Sequence, residues 1–200
     1  MRHFAIAALL ALSSLSLSLP ALAEGVDAST LPDYKRSRLQ LYLTPQEAHK
    51  IVGEASAQTL FLDVRTRAEA MYVGMPTMAD GLVPYVEHQE LMTDWDERRH
   101  MYQLMANSDF LPEADSRLKA KGLTKADRVI LICRSGDRSA RAADLLANAG
   151  YTQVYSITDG FEGDAAKDGP QAGQRIVNGW KNAGLPWTYK LEKQKMYFPR

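Results

Sequence analysis

The chain has 200 residues, 46% of them hydrophobic and 24% charged, with 24 basic and 24 acidic side chains. These proportions describe one ordinary folded domain and exclude the disordered, collagen-like and disulfide-scaffold classes. Lys and Arg are scattered, with no basic block interleaved with aromatics, so the charge pattern argues against nucleic acid as a partner.

Residues 1–23 read as a secretory signal peptide. Arg2 and His3 give a modest positive start, the apolar run from residue 4 to residue 19 carries four serines, and Ala21-Leu22-Ala23 after Pro20 has the small-x-small cleavage pattern. The run is short and polar for a membrane anchor. The expectation is a mature protein exported to the periplasm, with no membrane association after cleavage.

Residues 24–38 are polar and without period, which predicts a flexible or late-ordering arm. A helix start follows: Thr44 can cap, Pro45 suits the first helical position, and Glu47 completes a capping box, with a stop expected at Gly53. TLFLDV at 59–64 is a short apolar run of strand type. Residues 85–110 carry Trp95, Tyr102 and the charges Asp96, Glu97, Arg98 and Arg99 without a persistent period, and read as an insertion between sheet elements. Asp94, Asp96 and Glu97 are expected on a solvated face.

A helix is predicted over 113–121. RVILIC at 128–133 is β-branched and apolar throughout, as suits a strand buried on both faces. A helix over 139–149 closes at Gly150, and QVYSI at 153–157 is the third strand. Strand, helix, strand in that order implies a parallel crossover, so the architecture is α/β. A last helix is predicted over 175–182, ahead of Gly184-Leu185-Pro186, and residues 191–200 form a tail.

Cys133 is the only cysteine. An exported protein meets an oxidising compartment where cysteines usually pair, so an unpaired thiol is either inert by burial or functional. Cys133 ends a strand and is followed by Arg134, Ser135, Gly136, Asp137 and Arg138, after which a helix begins. Ligands of open parallel sheets bind beyond the carboxyl ends of the strands. A short loop with a glycine that opens onto a helix can converge several amide N–H groups on one point, an anion-binding nest. Thiols in such a setting titrate at roughly 3.5 to 7.5 rather than near ~8.5, so Cys133 is expected to be largely ionised and nucleophilic.

CRSGDR followed by a Ser-Ala-Arg-Ala helix resembles the active-site loop of the rhodanese family. LTPQEA is similar to that family's opening helix, FLDVRTRAEA to its Asp-Val-Arg strand end, AGYTQVYSITDGFEG to its strand and glycine turn, and GWKNAGLPW to its closing segment. The resemblance covers residues 39–190. It implies a three-layer fold, a mostly parallel central sheet with helices on both faces, and no cofactor.

The resemblance also implies a sulfurtransferase. Cys133 would be the sulfur acceptor, the backbone of residues 134–138 the cradle, and Arg134 and Arg138 the attraction for an anionic donor such as thiosulfate. Cyanide or a thiol would then remove the sulfur. Asp63 and Arg65 would support the cradle by pairing with each other or with loop amides. The chain departs from the family at residues 73–85, VGMPTMADGLVPY, where a Gly-His-Ile-Pro-Gly-Ala stretch is usual, so the rim facing Cys133 is expected to differ.

Phosphatases of the same fold place five residues between Cys and Arg. Here four separate Cys133 from Arg138, which suits a single sulfur atom better than a phosphoryl group. A persulfide carrier or binding module serving a partner protein is the other reading, with Trp95 and Tyr102 as a docking surface. No resolving cysteine is present for thioredoxin-like exchange. His49, His88 and His100 lack ligand-like spacing, so no metal site is expected. Met71, Met75 and Met78 are expected to fill core gaps.

Overall fold

The computed structural model describes residues 25–199. Residues 1–23, read from the sequence as a signal peptide, lie outside the described residues. Strand β1 (Tyr42–Leu43) leads into helix α1 (Pro45–Ala55), β2 (Thr59–Asp63) and α2 (Arg67–Val73). Short strands β3 (Met75–Pro76) and β4 (Gly81–Leu82) follow. Next come β5 (Val86–His88), β6 (Trp95–Asp96), β7 (Met101–Tyr102) and β8 (Leu104–Ala106). The chain continues through α3 (Phe110–Ala120), β9 (Arg128–Ile132), α4 (Asp137–Asn148), β10 (Gln153–Ile157) and β11 (Trp187–Thr188).

Five strands in the order β1-β10-β9-β2-β4 form the central sheet, and every pairing in it is parallel. Successive side chains of a strand point to opposite faces, and the core divides accordingly. Leu60, Leu62, Val129 and Leu131 face Phe110, Ala114 and Leu118 of α3 and Ala142, Ala143 and Leu146 of α4. Phe61, Ile130 and Ile132 face Ala48 and Val52 of α1, Ala70 of α2 and the buried Trp180. The result is a three-layer α/β domain with helices on both faces. Among the described residues no helix is long and apolar enough to cross a membrane.

Both helices on the second face start with a capping box. The Thr44 hydroxyl accepts from the Glu47 amide while Glu47 accepts from the Thr44 amide, and Thr66 and Glu69 repeat the arrangement on α2. Helix α1 runs through Gly53 to Ala55 rather than stopping there, and Gly53 does not take the left-handed conformation of a helix stop. Helix α3 starts earlier than expected, anchored by Phe110, which is buried and edge-on to Tyr85. Met75 is buried and Met78 packs beside it, whereas Met71 is exposed.

Two expectations fail. The arm is not loose: Asp27 caps a turn over Ala28–Thr30, and Leu31, Lys35 and Ser37 are buried. Tyr42 accepts the Ser37 amide through its hydroxyl at 2.7 Å, and Lys35 Nζ reaches Asp164 at 3.0 Å. The helix over 175–182 does not form either. Asn182 Nδ2 donates to the carbonyls of Glu162, Arg175 and Asn178, Asn178 Oδ1 accepts the Asp164 amide, and Gly179 sits at φ +98°. Side chains that bind backbone groups in this way compete with the helical ladder, and the segment is a series of turns.

Residues 85–110 become a twisted two-part ribbon. Strand β5 pairs antiparallel with β8, and β6 with β7, where Trp95 and Tyr102 meet edge-to-face at 5.3 Å. Trp95 and Tyr102 remain exposed. The Asp96 carboxylate accepts the amides of Arg98 and Arg99, which shapes the tip of the ribbon.

Candidate active site

Cys133 is the first residue after β9 and is 1% exposed. The strand carries it to the carboxyl end of the sheet, where the loop 134–136 turns into α4. Gly136 makes the turn at φ +97°, a conformation in which a Cβ would run into the Thr158 carbonyl oxygen. In that geometry the Gly136 amide donates to Cys133 Sγ at 3.1 Å.

Ser139 Oγ lies 3.3 Å from Sγ, 3.2 Å from the Gly136 carbonyl and 2.8 Å from Ser156 Oγ. One hydroxyl carries one proton, so the partners compete for it. With a thiolate at Cys133, Ser139 donates to Sγ and accepts from Ser156. With a thiol, the Ser139 proton is free for the Gly136 carbonyl.

The segment after β10 fastens the loop from outside. Phe161 N donates to the Cys133 carbonyl at 2.7 Å, and the amides of Glu162 and Gly163 both donate to the Arg134 carbonyl. Asp63 and Arg65 stand behind this contact. Both are fully buried, Arg65 Nε and Nη2 bind the Asp63 carboxylate at 3.0 and 2.6 Å, and Nη2 also donates to the Gly74 carbonyl at 2.6 Å. The guanidinium lies 4.0 Å over the Phe161 ring. Burial alone would pull the Arg65 pKa down, but the Asp63 charge outweighs it and the net shift is upward.

The two loop arginines differ. Arg138 is held by Glu69 in a bidentate pair, Nη1 to Oε2 and Nη2 to Oε1, each at 2.6 Å. Burial works to raise the Glu69 carboxyl, yet the hydrogen bond and charge of Arg138, with the Thr66 amide, bring it down to about 2. Burial also acts against the charge on Arg138, and Glu69 overcomes it. Arg134 makes no ion pair among the described residues, and its Nε is buried without a hydrogen-bond partner. Its pKa is lowered by burial and by the neighbouring charges of Arg175 and Arg138. Asp137 pairs with Arg141 at 2.9 Å, and Ser135 is half-buried.

A cleft of about 180 Å³ opens on this loop. One wall is Glu69, Arg134, Asp137 and Arg138; the other is the ribbon, through His88, Arg99, Met101 and Leu104. The departure from the family pattern at residues 73–85 does not form this wall; β3 and β4 lie there, and the ribbon faces the loop instead. Glu69, Met101 and Leu104 escape the sequence reading, which names His88 and Arg99 without placing them at the site. Only Glu69 leaves a local signal, the Thr66-x-x-Glu69 spacing of a capping box. Among the described residues no group of three or more His, Cys, Asp and Glu side chains could hold a metal ion.

A parallel α/β sheet with a lone cysteine at a strand's carboxyl end, ringed by a short arginine-bearing loop, defines a class of cysteine-loop domains. The rhodanese-like domain model matches residues 44–167, and the chain belongs to that family, whose domain is of the sulfurtransferase type. The chain is 30% identical over 128 residues to "Uncharacterized protein RP600 homolog" of Rickettsia rickettsii, an alignment covering 64% of this chain and 81% of the relative. "Uncharacterized protein RP600" of Rickettsia prowazekii is 31% identical over 128 residues, with the same coverage of each chain. Among solved structures, Rv0390 from M. tuberculosis superposes with a TM-score of 0.55 at 28% identity, covering 74% of this chain and 97% of that one.

Proposed function

We propose that the protein moves a sulfane sulfur from an anionic donor such as thiosulfate to a thiophilic acceptor, cyanide or a thiol, through a persulfide on Cys133. The observation that carries this reading is the Gly136 amide aimed at Cys133 Sγ at 3.1 Å within a four-residue spacing from Cys133 to Arg138. The Cys133 thiolate attacks the outer sulfur of thiosulfate, the S–S bond breaks, and sulfite leaves with the electron pair. Cyanide or a thiolate then attacks the outer sulfur of the persulfide and returns Cys133 to the thiolate.

Arg138 is occupied by Glu69, so within the loop the attraction for the donor falls to Arg134. Arg138 and Asp137 fix the start of α4, Ser135 and Gly136 shape the cradle, and Asp63 with Arg65 braces it through Phe161. A second reading, a persulfide carrier that serves a partner protein, is favoured by the exposed Trp95 and Tyr102 on the ribbon. In either reading the protein acts after export, with cleavage after Ala23 and residence in the periplasm; N-terminal sequencing of the cell-derived protein tests that.

The test of the chemistry is the intact mass of the reduced mature protein after incubation with thiosulfate, and again after cyanide. The expected result is a gain of one sulfur, reversed by cyanide and absent in Cys133→Ser. A gain that survives in the serine variant refutes the assignment. Sulfur uptake from a protein donor but not from thiosulfate selects the carrier reading.

A further inference from the structure

The cleft beside the loop is larger than a diatomic acceptor needs. Its 180 Å³ would take about six water-sized groups at ~30 Å³ each. Its charge is unbalanced. Glu69 is matched by Arg138, and Asp137 by Arg141. Arg134 has no carboxylate partner among the described residues, and Arg99 touches Asp96 only at 3.9 Å, through a carboxylate already engaged by turn amides. One cation without a close carboxylate contact thus stands on each wall, and beside Arg99 the ribbon wall adds the half-buried side chains of Met101 and Leu104.

An occupant that fits has an anionic head for the two guanidiniums, a short aliphatic stretch for Met101 and Leu104, and a reactive end that reaches the loop. We propose that the acceptor of the Cys133 sulfur is a small aliphatic thiol bearing a carboxylate, bound between the ribbon and the catalytic loop by Arg99, Arg134, Met101 and Leu104. This rests on the persulfide reading of Cys133. The acceptor's thiolate attacks the outer sulfur of the Cys133 persulfide, and the S–S bond to Cys133 breaks. Its electron pair returns to Sγ, and the acceptor departs as a persulfide; no oxidant or reductant is required. Donor and acceptor occupy the site in turn, so Arg134 serves the anionic group of each.

The assignment makes the ribbon a specificity element. The test uses the mature protein loaded with sulfur, loading verified by intact mass for every variant, and measures single-turnover unloading by 3-mercaptopropionate and by 2-mercaptoethanol. The ratio of the two rates cancels general effects of a substitution on the persulfide. Arg99→Gln is expected to lower the ratio of charged to neutral thiol about tenfold, the order expected for loss of one charge-assisted contact. Arg99→Glu is expected to invert the preference toward 2-aminoethanethiol. Met101→Ser with Leu104→Ser is expected to slow both aliphatic thiols relative to cyanide.

Ratios unchanged from wild type in loaded Arg99→Gln and Arg99→Glu overturn the inference while leaving the persulfide reading intact. A wild-type protein that takes up sulfur from none of thiosulfate, polysulfide and a persulfide-bearing protein donor overturns both. The two failures are told apart by the mass of the loaded protein before any thiol is added.

Discussion

Replacing Glu69 by Gln keeps a side-chain oxygen for the Thr66 amide that caps α2 and removes the charge that Arg138 grips. The wild-type carboxyl titrates at about 2 rather than 4.5, because Arg138 and the Thr66 amide outweigh burial. At about 1.36 kcal/mol per unit, that shift stabilises the fold by about 3 kcal/mol at neutral pH. The folded value lies below the unfolded one, so the stabilisation is complete well above about pH 4.5 and drains away as pH falls toward 2. At pH 3.5 linkage leaves about 2 kcal/mol. Urea denaturation of wild type and Glu69→Gln at pH 7 and at pH 3.5 should therefore show a gap that narrows by about 1 kcal/mol. Thermal melts at pH 7 should separate by about 6 to 12 °C. A gap of the same size at both pH values, or one below about 1 kcal/mol at pH 7, would refute the view that charge rather than shape ties α2 to the catalytic loop.

Asp63→Asn leaves the fully buried Arg65 guanidinium without its counter-charge and should cost about 3 to 5 kcal/mol in chemical denaturation; a loss below about 1 kcal/mol contradicts the bracing role. Gly136→Ala forces a side chain into the positive-φ turn against the Thr158 carbonyl, and is expected to lower both stability and sulfur loading. Full loading in that variant would separate the cradle from the turn. Lys35→Met keeps the stem that packs under Gly136 but removes the Asp164 contact, and should cost about 1 kcal/mol. Lys35→Ala, which also empties the space below the loop, should cost more. Equal losses in the two lysine variants would show that packing contributes nothing.

The buried strands are the most legible part of this chain. TLFLDV, RVILIC and QVYSI become β2, β9 and β10 to within a residue; the first two are apolar at nearly every position because they are covered on both faces, while β10 exposes Gln153. Thr44-Pro45 with Glu47 announces α1 because the cap is local. Harder to read are features made by distant residues. Arg138 and Glu69 are 69 positions apart, Lys35 and Asp164 129 apart, and nothing in either neighbourhood announces the partner. The ribbon hides for another reason. Its strands bury little, so neither a period of two nor an apolar run marks them. Residues 175–182 mislead because Asn178 and Asn182 bind backbone groups elsewhere in the segment and its surroundings in place of a helical ladder.

The Cys133 and Arg134 carbonyls are held by the amides of Phe161, Glu162 and Gly163, and Gly136 turns beneath Thr158. The shape around the sulfur is thus written twice, once in the loop and once in the stretch that follows the next strand. A grafted CRSGDR segment would arrive in a foreign sheet without the second copy of its instructions, and a transplant meant to carry the chemistry should take residues 158–163 along.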